Sequence, residues 1–303
     1  MERKIRIIIN PAARRGNQAD LSAQLRAEFM GYQLDIRIPR TVAETIAAAS
    51  TAPGDGITDL VIVGGDGTIN IAVNAIAGTD VRLGLIPYGT ANDLANYLGI
   101  PEQLPGACET VRRAATRLLD LVEVNGKLFI TAGGLGVVSQ VAVAVNRFKA
   151  STGTARAICR ALGSLIYTLY SFIVLLTGRK IYTTVNISCD GHSIGRFTSV
   201  AVFVNNQPTI GKTIMPCPAA RSDDGELTGL LLERRSRLGT IWTVILMTLR
   251  GAHTRRRDAI DFAGKQITVC SEAPATFIGD GEVLACTRNL RLAVRPCAIR
   301  VIA

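Results

Sequence analysis

The 303-residue chain reads as an α/β domain on a parallel sheet over residues 1–120, followed by an antiparallel β-sandwich domain over residues 121–303 whose last strand is free to return to the first. Three observations predict this. Apolar runs at 6–9, 34–38, 60–63 and 82–86 alternate with helical patterns, and such alternation means parallel strands covered on both faces. The period then changes: from residue 181 the runs are short and strand-like, at 181–188, 194–204, 227–232, 266–270, 275–278, 290–294 and 298–302. Asp190-Gly191, Asp224-Gly225 and Asp280-Gly281 punctuate them as turn signals.

Local signals justify the elements in order. The strand ending at Ile9 runs into the loop Asn10-Pro11-Ala12-Ala13-Arg14-Arg15-Gly16. Leu21, Leu25 and Phe29, four residues apart, lay one apolar stripe along the next helix. Thr41-x-x-Glu44 is a capping box that opens a helix after the second strand. Strand 60–63 leads to helix 69–77, and strand 82–86 to a helix from Ala91 to Leu98 with Thr90 as its N-cap and Gly99 and Pro101 ending it. A helix near 108–116 precedes short strands at 120–124 and 127–131, joined at Asn125-Gly126, a strong hairpin signal. One long helical stretch is expected over 139–177, and 237–250 reads as the only later helix.

Composition narrows the classes. Hydrophobic residues make up 48% and charged residues 19%, which is globular rather than disordered. Seven scattered cysteines, without Cys-x-x-Cys spacing, read as reduced thiols in a cytoplasmic protein and argue against zinc. Two isolated histidines, His192 and His253, argue against a histidine-based metal site or triad. No charged leader followed by an apolar stretch precedes the first strand, so a signal peptide is not expected.

The net charge of +10 gathers at Arg112-Arg113, Arg179-Lys180, Arg234-Arg235-Arg237 and Arg255-Arg256-Arg257, which favours an anionic partner. Nucleic acid is the weaker candidate, because aromatics are only 5% and none interleave with the basic runs. Residues 161–178 carry no charge, and eighteen residues is the lower limit for a membrane span. Internal Gly, Ser and Thr and two mid-segment Tyr favour a partly buried amphipathic helix whose apolar surface is available to lipid.

The chemistry-bearing residues form three groups. Gly64-Gly65-Asp66-Gly67-Thr68 sits where a buried strand becomes a helix, so several backbone N–H groups can converge on phosphate oxygens with the helix dipole behind them. Asp66 would repel phosphate unless a cation or a transferable proton intervenes, which points to Mg²⁺-assisted phosphoryl chemistry. A second turn, Pro87-Tyr88-Gly89-Thr90-Ala91-Asn92-Asp93, follows the next strand at the same sheet edge. Late in the chain, Gly279-Asp280-Gly281-Glu282 sets two carboxylates around a glycine, as a base and a metal ligand require. A Walker A loop is excluded because Gly211-Lys212-Thr213 has Asn206 where its first glycine belongs. The dinucleotide fingerprint fails as well, with Asn70 at its third glycine.

Taken together, Asn10-Pro11, the Gly-Gly-Asp-Gly-Thr at 64–68, the Pro-Tyr-Gly-Thr-Ala-Asn-Asp at 87–93 and the Asp-Gly-Glu at 280–282 resemble the diacylglycerol kinase catalytic family, bacterial soluble type, across essentially the whole chain. Pro218-Ala219-Ala220-Arg221-Ser222-Asp223-Asp224-Gly225 is similar to another stretch of that family. The resemblance implies a nucleotide domain like those of NAD and diacylglycerol kinases over a β-sandwich, ATP in the cleft, and γ-phosphoryl transfer to a lipid hydroxyl. It implies Asp280 as general base, Glu282 and Asp66 on Mg²⁺, and Asn10, Gly64, Gly65, Asp66, Gly67, Thr68, Gly89, Thr90 and Asn92 as nucleotide contacts. Asp224 would belong to a loop holding a structural Mg²⁺, where Arg221 stands in place of a helpful acid. The implied partners are ATP and a lipid at an anionic membrane surface, with no nucleic acid, a homodimer allowed by exposed sheet edges, and peripheral membrane association from the cytoplasm. Two alternatives stay open: an NAD kinase using Asp66 as base, and a non-catalytic lipid- or nucleotide-binding regulator.

Overall fold

The computed structural model describes residues 3–11, 18–163, 165–178, 181–211, 213–249 and 251–303, with backbone only at 18, 19, 156 and 160. The expected loop at 12–16, the basic pair Arg179-Lys180 and Lys212 of the rejected Walker loop lie outside the described residues. The chain divides into two compact units, Met1–Asp120 with Cys297–Ala303, and Leu121–Pro296.

In the first unit β1 (Lys4–Ile9), α1 (Gln18–Glu28), β2 (Gln33–Arg37), α2 (Val42–Ser50), β3 (Asp59–Gly64), α3 (Asp66–Ile76), β4 (Arg82–Pro87), α4 (Asp93–Tyr97) and α5 (Leu104–Arg113) follow one another. β1 pairs in parallel with β2 and β3, and β3 with β4. Near the chain's end Arg300 and Val301 add a parallel partner beside Arg82 and Leu83 of β4. Ile5, Ile7, Leu60, Ile62, Leu83 and Leu85 are buried, as sheet strands covered by helices require. Parallel strands deliver all their carboxyl ends to one edge, so Asn10, the turn after β3 and the turn after β4 gather there.

Two details differ from expectation. Glu44 does not close the capping box on Thr41: Thr41 Oγ1 accepts from Glu44 N at 3.1 Å, but the Glu44 carboxylate reaches back to Arg40 N at 2.7 Å. The helix after β4 begins at Asp93, with Asn92 rather than Thr90 at its N-cap position, because Asn92 is left-handed (φ 53°) and holds the turn open.

The second unit takes in the end of β5 (Thr116–Val124), then β6 (Lys127–Phe129), β7 (Ala132–Gly136), α6 (Val137–Ser151), α7 (Gly153–Leu162), α8 (Leu165–Thr177), β8 (Thr183–Cys189), β9 (His192–Asn205), β10 (Leu227–Glu233), α9 (Arg237–Thr248), β11 (Ala259–Gly264), β12 (Gln266–Gly279) and most of β13 (Glu282–Ile302). Its strands pair antiparallel in the order β11-β10-β9-β7-β12-β13, and β8 joins β9 to β12. Leu135, Val185, Ile187, Val202, Val204, Ile267, Val269 and Phe277 share one core between the strands. Val137, Val141, Ile166, Leu175, Leu230 and Met247 form a second, where α6, α8 and α9 cover the sheet. Type I′ hairpins close at Asn125-Gly126, Asp190-Gly191 and Asp280-Gly281, each with both residues at positive φ.

The single long helix expected over 139–177 is three helices. Thr152 is extended (φ −149°) and its hydroxyl caps α7 from Ala155 N at 3.0 Å, while Gly163 (φ 57°) separates α7 from α8. No described helix is long and apolar enough to cross a membrane. Two strands escaped the sequence reading. β7 reads Ala-Gly-Gly-Leu-Gly, poor in strand formers, yet it lies between β9 and β12 because a Cβ on Gly133 would meet the Phe277 ring at 2.7 Å. β11 was the other, and β13 proved to be one strand where two runs were expected.

Candidate active site

In the first unit the two glycine turns meet. A Cβ on Gly89 would lie 2.4 Å from Gly65 Cα, so neither backbone could approach the other with a larger residue. Asp66 ties the turns together: its carboxylate accepts Asp93 N at 2.8 Å and Asn92 N at 3.0 Å. Two backbone N–H groups of the neighbouring turn therefore hold this carboxylate. Asn92 is buried and folds its side chain back, accepting Gly89 N at 2.8 Å on Oδ1 and donating to Gly89 O at 3.3 Å. From β1, Asn10 Nδ2 donates to the buried Thr68 Oγ1 at 2.7 Å, and its own N–H donates to Val63 O. Gly64, against Thr68 and Asn10, completes the crossing of three loops. Gly67 stands exposed in the first turn of α3, and Thr90 stands exposed in the turn before α4.

In the second unit Asp280 occupies the turn between β12 and β13 with φ 51°, a left-handed conformation that Asp tolerates in a type I′ turn. Its N–H donates to Ala132 O at 3.0 Å, and its carboxylate accepts Ile130 N at 3.0 Å, Thr131 N at 2.8 Å and Thr131 Oγ1 at 2.6 Å. That two-residue donor segment is braced from its other side by the buried Asn206, whose N–H and side-chain amide donate to Thr131 O at 2.8 Å and Ile130 O at 2.9 Å. Asn146 of α6 donates to Gly281 O at 3.1 Å and pins the tip of the turn. Glu282 is exposed; partial desolvation by its neighbours pushes its carboxyl above the usual range, against a downward pull from Lys149. Asp224 accepts Glu226 N at 3.1 Å within its own turn. Among the described residues, no three His, Cys, Asp or Glu side chains form a ready-made metal cage.

Residues 4–124 match the diacylglycerol kinase catalytic domain, and residues 133–303 match the YegS C-terminal NAD kinase beta sandwich-like domain. A diacylglycerol kinase of Bacillus subtilis (strain 168) is 30% identical over 287 residues, covering 92% of this chain and 90% of that one. The chain belongs to the diacylglycerol kinase family. A diacylglycerol kinase of Staphylococcus aureus (strain MRSA252) is 26% identical, covering 93% of this kinase and 87% of its own length. Two solved structures speak for the fold alone. A diacylglycerol kinase from Bacillus anthracis str. Sterne has a TM-score of 0.78 at 22% identity, covering 99% of this chain and 96% of that one. An NAD kinase from Archaeoglobus fulgidus in complex with ATP has a TM-score of 0.53 at 10% identity, covering 99% and 93%.

Sequence reasoning about this kinase missed Thr131, Asn206 and Asn146. Thr131 follows an ordinary hairpin and lies 149 residues from Asp280, so no local signal marks it. The triplet Asn205-Asn206-Gln207, polar residues ending a strongly apolar strand, was a signal that could have been followed: all three are fully buried.

Proposed function

We propose that this kinase transfers the γ-phosphoryl group of ATP, with Mg²⁺, to the hydroxyl of diacylglycerol or a related lipid at an anionic membrane surface. The observation that carries the reading is the Asp280 carboxylate, oriented by three donors from Ile130 and Thr131 at a hairpin whose next acid, Glu282, is exposed. A general base has to be held within hydrogen-bond reach of the proton it takes, and this frame fixes its direction. In this reading Asp280 takes the proton of the lipid hydroxyl as it attacks.

Asn10, Gly64, Gly65, Gly67, Thr68, Gly89, Thr90 and Asn92 contact the nucleotide, using backbone N–H groups and the start of α3 as an anion cradle. Asp66 fixes the spacing of the two turns that form it. The donor set suits Mg²⁺, which usually binds one or two carboxylates plus substrate phosphates and water rather than an all-protein cage. Asp66 in the first unit and Glu282 in the second are each proposed as a Mg²⁺ ligand, with Asp224 serving a separate structural ion; when bound, Mg²⁺ would neutralise phosphate charge.

The test is incubation of the protein with labelled ATP, Mg²⁺ and dispersed diacylglycerol, with the product identified by mass spectrometry. Labelled phosphatidic acid is expected. Asp280→Asn should lower transfer by about 10²–10⁴-fold while ATP affinity stays within about twofold. NADP formation without lipid, or full lipid transfer by Asp280→Asn, would refute the assignment.

A further inference from the structure

We infer that the outer faces of α8 and α9 form the surface by which this enzyme docks on an anionic bilayer, with Trp242 seated among the headgroups. The bilayer as occupant rests on the lipid-kinase reading above. The helices bury their inner faces on one shared core: α8 contributes Ile166, Leu175 and Val174, and α9 contributes Met247, Ile241 and Val244. Arg237 of α9 donates to the carbonyls of Leu176 and Gly178, the latter at 2.9 Å, so the end of α8 and the start of α9 are joined.

What remains outside is apolar. Leu165, Leu169, Ile173 and Leu176 recur at helical spacing along α8 with 59, 49, 43 and 56% exposure. On α9 Leu238 is 76% and Trp242 52% exposed, and Leu249 beyond its end is 57% exposed. Large apolar side chains grouped on adjoining helices mark an interaction surface rather than ordinary scatter.

Charge chooses the partner. Residues 137–189 and 234–257, which contain all four helices of this layer and their flanks, hold thirteen Lys and Arg and no Asp or Glu, in a chain with 24 acids. Arg234, Arg255 and Arg257 are exposed, and Arg235, also exposed, pairs with Asp258 just beyond this stretch. An anionic bilayer complements such a face, whereas a second copy would set like charge against like charge. Insertion across the bilayer is excluded for α8 by length: its 13 residues span about 20 Å against an apolar thickness of about 30 Å. The helices lie on the membrane.

Trp242 is the only tryptophan in the chain, so selectively excited tryptophan fluorescence reports on this surface alone. The full-length protein is titrated with phosphatidylglycerol-containing vesicles without diacylglycerol, and separately with phosphatidylcholine vesicles. Expected are a blue shift and quenching by brominated acyl chains with the anionic vesicles only, reversed by high salt. The double substitution Leu169→Gln with Leu238→Gln, whose fold is checked by circular dichroism, should weaken vesicle partition at least tenfold. Transfer to short-chain diacylglycerol in free solution should be unchanged in that variant. Co-sedimentation with unchanged Trp242 emission, unchanged partition of the double variant, no binding to anionic vesicles, or a lipid-free dimer with already blue-shifted emission would each overturn the proposal. Docking without lipid phosphorylation would support the surface and refute only the lipid-kinase reading.

Discussion

Replacing Gly89 with Ala attacks the one place where both glycine turns must nearly touch. The added Cβ would sit 2.4 Å from Gly65 Cα, 2.7 Å from Asn92 Oδ1 and 3.2 Å from Gly65 N. Two of these obstacles are backbone, so relief requires the turns to part by about an ångström, well beyond side-chain adjustment. Overpacking of this kind costs about 1–3 kcal/mol. Parting the turns also strains the Gly89 N to Asn92 Oδ1 bond and the clamp of Asp66 on Asn92 and Asp93, adding about 1 kcal/mol or more. A loss of about 2–4 kcal/mol is therefore expected, read as a lower urea midpoint with unchanged slope. In the proposed function ATP affinity should fall in parallel, since these bonds set the spacing of the two turns that would form the cradle. The control is Gly54→Ala, where the only neighbour of the new methyl is Thr51 O at 3.8 Å; it should be neutral or slightly stabilising. Should Gly89→Ala match the wild type in both stability and ATP affinity, the argument that close approach of two glycine backbones builds the nucleotide site would fail.

Other outcomes follow from single contacts. Thr131→Val keeps the shape but removes the 2.6 Å hydroxyl bond to Asp280, so kcat should drop about 10–100-fold with KM for ATP unchanged, and Thr131→Ser should restore most of it; an unchanged kcat would dissociate Thr131 from the reaction. His253 is fully buried and its Nε2 meets Pro216 O at 2.8 Å, which makes that nitrogen the donor; Nδ1 has no partner among the described residues. Burial lowers its pKa, against upward pulls from the Pro216 bond and from Asp261. The unfolded chain therefore binds the extra proton more readily, and the stability is complete above the ordinary histidine value of about 6.5 and is lost as pH falls through the lower folded value. Urea midpoints measured from pH 7.5 to 5 should decline in the wild type and flatten in His253→Asn; parallel slopes would remove His253 as the cause.

Much of this architecture was legible because its signals are local. Leu25 and Phe29 are completely buried as the helical spacing required, Asn125-Gly126 closes a type I′ hairpin, and Gly99 at φ 72° ends α4. Each depends on residues within about four positions of one another. The misread elements are of two kinds. The long helix expected over 139–177 breaks at local signals the expectation passed over, Ser151-Thr152-Gly153 and Gly163, where Thr152 is extended and Gly163 has a positive φ. β7, with three glycines, is a strand by virtue of its neighbours and against its own propensity.

The candidate site divides in the same manner. Glycine-rich turns at strand ends, and a carboxylate pair around Gly281, are properties of chemistry and order along the chain, and the amino-acid sequence determines them alone. Which groups hold those carboxylates was decided by folding: Asp66 finds Asn92 from 26 residues away, and Asp280 finds Thr131 from 149. The burial of one helix face and the exposure of the other on α8 and α9 likewise depend on which core lies beneath them. Hydrogen bonds and packing act over a few ångströms of space, whereas sequence patterns register only neighbours along the backbone. Partners brought together across more than a hundred residues therefore leave no mark until the sheet is built.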